Sequence, residues 1–439
     1  MKERTKALAK RTVVRLSFGR QYQLKDAYLS LQDRLHRPAS PFKEFTTRLP
    51  TGFGAGRATV RLSIPEMPAG SRYTFAEHAC SAAGVPTDRV IATGTGRIAI
   101  SDDLGATWRD IRIRRFARYP FIRAKNLANG HVLLQAIDPD ARALSAPSNV
   151  LVVANLDGDV LHHTRMEGAY WHGSRAVDEA HGTIMYAENT PNRTGSHRHD
   201  LTMPSRVWRS RDGGRTWSTV FETASIRHFH FLQARAGRTG EWWLTSGDEE
   251  MEARIWRSTD DGESWTDLTE RFGLRVKLGQ YRFSRRIFRL TDLVWNGDEI
   301  VWGADDPLLK IIALGDAPLQ EPGARMFRWN PDSGRAPEVV GRCGPPVRNI
   351  VELPDHYVLI TQGFAQFEDG CPRVLLARKN GEGGTVPLFK LEQYYRAMPS
   401  FTHSRASRTA KDGVFFTARS PEDVFAHPQN VLRWEIRLD

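Results

Sequence analysis

His228 and His230 sit one residue apart in the segment Arg227-His-Phe-His230. On an extended strand, residues i and i+2 point to the same face, so both imidazoles are expected to enter one space. Paired in this way they could act as a general base and its partner. They could also be two ligands of a divalent metal ion, although the sequence as a whole assigns no metal and no cofactor. Glu188 closes the run Thr183-Ile-Met-Tyr-Ala-Glu188, and Asp248 lies in Thr245-Ser-Gly-Asp-Glu249. A carboxyl whose pKa is raised by burial can serve as a general acid while a second carboxylate stays ionised, so Glu188 and Asp248 are the candidate acid/base residues. Arg118, Arg227, Arg282 and Arg348 offer planar guanidinium forks suited to a ligand carboxylate. Trp171, His172, Asp305 and His403 complete the candidate binding set, and Tyr281 joins the candidate catalytic set.

A repeat supplies the elements that must position these residues. Ser101-Asp-Asp-Leu-Gly-Ala-Thr-Trp108, Ser210-Arg-Asp-Gly-Gly-Arg-Thr-Trp217 and Ser258-Thr-Asp-Asp-Gly-Glu-Ser-Trp265 share one template, with starts 109 and 48 residues apart. A strand ends at the Ser, and the Asp carboxylate caps backbone N–H groups of a tight turn. The Gly takes a positive φ, and the Trp returns on the next strand to pack between neighbouring sheets. These Asp and Trp residues are therefore structural. Degenerate turns of the same kind fall near 155, 330 and 379, each after a short apolar strand, and a last strand lies near 433. The count is seven units of about 50 residues, the spacing of a propeller blade. The long step from 258 to 330 calls for an insertion, around 269–285 or 307–323.

The template resembles the Asp-box, or bacterial neuraminidase repeat, of sialidase-like β-propellers. The resemblance implies an all-β fold of four-stranded antiparallel blades, seven on the count above, with six the alternative. The chain stops at the strand near 433, so that edge needs a partner. The alternating stretch 56–64 is expected to close the ring by completing the last blade. Residues 1–45 read as a basic, partly helical extension and 46–439 as one propeller domain.

In such a propeller the starts of the innermost strands and the ends of the second strands meet at one mouth of the central channel. Innermost strands are expected to start at 118–121, 171–174, 227–230, 281–286, 348–349 and 401–403. Second strands are expected to end at Asp138, Glu188, Asp248, Asp305 and Gln362. Arginines and histidines thus gather at one set of positions and carboxylates at the other, a pattern suited to an anionic sugar. The family resemblance further implies an arginine triad and a Tyr nucleophile. Arg118-Tyr119-Pro120 looks like its first Arg motif, and Tyr281 or Tyr394 would be the nucleophile.

Composition narrows the class. The 439 residues are 40% hydrophobic and 26% charged, with a formal net charge of +11. Mean hydropathy is −0.47, and no run approaches the ~18 apolar residues of a membrane span. A basic surface favours anionic partners, yet no compact basic block interleaved with aromatics points to nucleic acid. Cys80, Cys343 and Cys371 show no CxxC and read as free thiols rather than a disulfide framework. Residues 1–20 lack the apolar core of a signal peptide, so the expected location is cytoplasmic. The first functional reading is a glycoside hydrolase acting on an acidic polysaccharide. The alternatives are a polysaccharide lyase with a His/Arg or metal-assisted site, and a non-catalytic propeller that binds glycan or protein in polysaccharide biosynthesis.

Overall fold

The computed structural model describes residues 42–51, 53–63, 65–68, 73–80, 86–140, 149–166, 176–188, 204–306, 309, 311–318, 320, 323–361, 373–381, 384–390, 405–406, 413–418 and 431–439. Among these, strands order into seven antiparallel blades and one extra three-stranded sheet. The innermost strands of blades 1 to 7 are Tyr73–Cys80, Phe121–Asn126, Val177–Ala180, Phe229–Ala234, Val294–Asn296, Val347–Glu352 and Arg405–Ala406. The strands follow from composition. In blade 2, Val132–Ile137 and Asn149–Ala154 are buried at every position, as continuous apolar runs covered on both faces should be. The outermost strand, Val160–Arg165, alternates half-buried and exposed instead, because only one of its faces meets a neighbouring blade.

Blade 7 is built from both ends of the chain. Arg57–Ser63 pairs antiparallel with the C-terminal strand Val431–Leu438, bringing Leu62 opposite Trp434. This is the closure expected for 56–64. A further strand, Phe42–Arg48, pairs outside it. The strand therefore begins ahead of the expected domain boundary at 45, because its ladder to Arg57–Ser63 outcompetes a helix there. The rest of the expected extension lies outside the described residues. Among the described residues, no helix is long and apolar enough to cross a membrane. Cys343 is a buried free thiol, and burial pushes its pKa up to about 12.

All six expected turns join the third and fourth strands of blades 1 to 6. In the turn that opens at Ser210, the Ser hydroxyl donates to Asp212 at 2.8 Å and accepts the Gly214 N–H at 2.9 Å. Asp212 in turn accepts the Thr216 amide at 2.9 Å and hydroxyl at 2.6 Å. The same bonds recur around Asp103 and Asp260. Glycine is required where the turn meets the preceding blade. At Gly105 (φ +80°) a Cβ would lie 2.6 Å from the Phe416 ring of blade 7. Trp108 packs edge-on to that same ring, with centroids 6.2 Å apart.

These turns set an acid limit on stability. Burial pushes Asp103 and Asp212 upward, but the bonds from Thr107 and Thr216 outweigh it, and both rest at about 2. At Asp260 the Ser264 hydroxyl leads, again to about 2. A folded pKa below the unfolded value of about 3.9 adds stability that is present above pH ~4 and lost as pH falls through 2. The triple Asn variant D103N/D212N/D260N should therefore show a flatter stability curve between pH 4 and 2 than the parent, followed by tryptophan fluorescence in urea. Equal slopes would refute this account of the turns.

The insertion uses both expected segments. Arg275–Leu278, Tyr281–Ser284 and Ile311–Ala313 form the extra sheet, with Tyr281–Ser284 in the middle. The start of blade 5 expected at 281–286 is thus corrected: its innermost strand is Val294–Asn296. Tyr-Arg-Phe-Ser alternates as well as any blade strand, so alternation alone could not separate the two.

Candidate functional site

The site forms where blades 4, 5 and 6 present the starts of their innermost strands and the ends of their second strands. In blade 4 the register slips between Phe229 and Phe231, leaving His230 as the extra residue of a bulge. The innermost strands of blades 1, 2 and 6 slip at the corresponding place, in blade 6 at Arg348. A bulge bends the strand and re-aims its side chains. Here it turns His230 and Arg348 toward the mouth groups described next.

His228 and His230 do face one another, with ring centroids 4.9 Å apart and Nε2 atoms 3.1 Å apart. The other ring nitrogen of His230, Nδ1, lies 3.3 Å from the Leu290 carbonyl. A carbonyl only accepts, so in the neutral imidazole Nδ1 carries the hydrogen and Nε2 is the basic nitrogen. In the neutral pair, His228 Nε2–H then donates to His230 Nε2. Burial drives His228 down to about 3 against the opposing pull of Asp248, so its imidazole is uncharged at neutral pH.

Asp248 follows the second strand of blade 4, Trp242–Ser246. Gly247 (φ +127°) makes the sharp turn, and a Cβ there would lie 2.4 Å from the Ala253 Cα. Asp248 Oδ2 is 3.6 Å from His228 Nε2, and Oδ1 is 3.6 Å from His230 Nε2. Arg289 approaches Oδ1 at 3.2 Å and Arg227 approaches Oδ2 at 3.6 Å. Burial pushes the carboxyl up, but the adjacent His230 and His228 and the guanidinium of Arg289 together hold it well below the usual carboxylate range. Asp248 is therefore a fixed anion, the state a general base or a cation ligand needs and a general acid does not.

The network continues through blades 5 and 6. Asp305, 1% exposed, meets Arg348 at 3.0 Å and Arg289 at 3.6 Å. Arg286 pairs with Glu249 and lies 3.8 Å from Asp306. Arg227 also meets Glu252 at 3.5 Å. Four guanidinium groups thus face five carboxylates around the two imidazoles.

Other expected site residues lie elsewhere. Glu188 does end a second strand, but its oxygens accept the Trp208 indole N–H at 2.7 Å and the Arg206 amide at 3.1 Å. The 2%-exposed carboxylate ties its own blade together. Tyr281 donates its hydroxyl to the Pro318 carbonyl at 3.3 Å, and Arg282 is an exposed residue of the inserted sheet. Arg118 is exposed and pairs with exposed Asp140 at 3.4 Å. Trp171, His172, Tyr394 and His403 lie outside the described residues. The sequence reading missed Arg289, Glu252 and the pairing role of Arg286. The run Arg285-Arg-Ile-Phe-Arg289 was the available signal, since it immediately precedes the innermost strand of blade 5.

No family profile and no curated protein matches the chain. Among solved structures, it is similar to "YCF48 bound to D1 peptide", at TM-score 0.45 and 11% identity, covering 91% of this chain and 98% of that one. YCF48 from Cyanidioschyzon merolae gives TM-score 0.46 and 10% identity, over 85% and 98% of the two chains. The computationally designed Ika8 protein gives 0.42 and 11%, over 85% and 100%. The architecture described above rests on strand order and not on these likenesses.

Proposed function

We propose that this chain is a sialidase-like Asp-box propeller that binds an acidic glycan at the mouth of blades 4 to 6 without hydrolysing it. The observation that carries this reading is the state of the two carboxylates that hydrolysis would use. Glu188 is spent on Trp208 and the Arg206 amide, and Asp248 is held ionised between two arginines and two histidines. A two-carboxylate mechanism needs one group that arrives protonated; Asp248 is held as the anion, and Glu188 is engaged inside its own blade. The ligand class follows from the overall charge of +11 and from guanidinium groups converging from three blades, whose planar forks suit a uronate carboxylate. The three complete Ser-x-Asp-x-Gly-x-Thr/Ser-Trp turns support the family assignment.

Elimination is the second reading, favoured by the uncharged His228 beside an anion. An imidazole takes the proton on the carbon next to a uronate carboxylate, the electron pair forms the C=C bond as the glycosidic C–O bond breaks, and the imidazolium returns its proton to the leaving oxygen.

Binding to a panel of uronate polysaccharides, measured by calorimetry, tests the site. Arg348→Ala should weaken binding about 10-fold, the worth of one charge-assisted contact, and Glu188→Gln should leave it unchanged. The reverse pattern would move the site to blade 3.

A further inference from the structure

We infer that His228 Nε2, His230 Nε2 and the Asp248 carboxylate form a binding site for one divalent transition-metal ion of the zinc type. Two imidazole nitrogens and one carboxylate converge, with a separation of 3.1 Å between the nitrogens and 3.6 Å from each nitrogen to an Asp248 oxygen. Two ligands at zinc bond lengths and a tetrahedral angle are about 3.4 Å apart; the nitrogen pair is already near that spacing, and one atom from each of the three groups lies within 4.8 Å of the others. The Leu290 carbonyl fixes the tautomer that turns His230 Nε2 toward the centre, the outer hydrogen bond that metal-bound histidines characteristically make. Arg289 and Arg227 play the same supporting part for Asp248.

Two further points agree. Accepting a metal at His228 Nε2 moves its hydrogen to Nδ1 and changes no net charge. Four arginines, Arg227, Arg286, Arg289 and Arg348, face the site, and their five carboxylates outnumber them. A dication would offset that excess of carboxylates. Imidazole ligands select against Ca²⁺ and Mg²⁺, which take all-oxygen sites.

Three protein ligands leave at least one position open. That position faces the mouth, and a ligand carboxylate is the group it would take. This last step rests on the glycan reading above: the metal would add a coordination position for the sugar carboxylate beside the arginines that already face the mouth.

The metal step is tested without any ligand. Full-length protein, stripped with chelator, is titrated with Co²⁺ and then Zn²⁺. One Co²⁺ per chain should bind with visible d–d absorption and be displaced by Zn²⁺. Mg²⁺ in excess should not compete. His230→Gln and Asp248→Asn should each weaken Zn²⁺ at least about 100-fold, and His131→Gln, outside the cluster, should not. Absence of the absorption in the parent protein, or a site that survives His230→Gln, overturns the inference whatever the variants' stability. Polygalacturonate binding is then compared with Zn²⁺ and with chelator. A bound metal without glycan binding keeps the metal site and sinks the glycan reading. Glycan binding that ignores chelator sinks the bridging step.

Discussion

Leu62→Asp is expected to open the ring and unfold the protein. Leu62 is fully buried opposite Trp434 on the strand that joins the two ends of the chain. It packs in one cluster with Val60, Phe415, Val351 and Ile360 of blades 6 and 7. An isolated carboxylate there loses the apolar contact and is stripped of water, a combined cost of about 4–5 kcal/mol or more. Stability of about 5–15 kcal/mol is all that a domain has to lose. The neighbouring Arg61 points the other way, toward Glu44 at 2.6 Å, so Arg61→Ala should leave the urea midpoint close to the parent's. Similar midpoints for the two variants would mean that Arg57–Ser63 does not close blade 7.

That closure was legible in the sequence because its causes are local. A seven-residue alternation and an unpaired terminal strand are both visible without tertiary contacts. The turns were legible for the same reason: Ser, Asp, Gly and Thr within one turn bond to one another, so the pattern survives in the linear text. Blade 5 was obscured because its innermost strand, Val294–Asn296, has three residues, too few to show a period. The inserted Tyr281–Ser284 showed a better one and took its place. His228 and His230 were found because i and i+2 spacing is a local rule. Arg289 was missed because its role exists only across blades, 41 residues from Asp248 and 16 from Asp305. Glu188 was misjudged in a different way. Its place at a strand end was right, but nothing in the sequence shows that Trp208 sits across the ladder to hold it.

Arg289→Ala is the second large effect. Its guanidinium lies between Asp248 and the buried Asp305, and the nearby carboxylates raise its pKa against the effect of burial. Breaking a buried pair typically costs about 3–5 kcal/mol because a charge is left uncompensated. Arg289 keeps 21% of its side chain exposed, and Arg348 still reaches Asp305, so a smaller loss, about 2–3 kcal/mol, is expected. Arg289→Lys should recover only part of this, since an ammonium lacks the fork that spans two carboxylates. Urea unfolding at pH 7 in the presence of chelator measures both variants. A loss under about 0.5 kcal/mol for the Ala variant, the range of ordinary surface changes, would show that the network through Arg289 does not organise the mouth.

The central claim is that this mouth holds an acidic glycan and does not hydrolyse it. The most direct measurement incubates the protein with uronate polysaccharides, with and without Zn²⁺, and follows complex formation and product mass in the same samples. The account predicts a complex that His228→Gln weakens and chains that keep their original length. Products heavier by one water per cut, retained in His228→Gln and lost in Glu188→Gln, would contradict it and restore hydrolysis at blade 3.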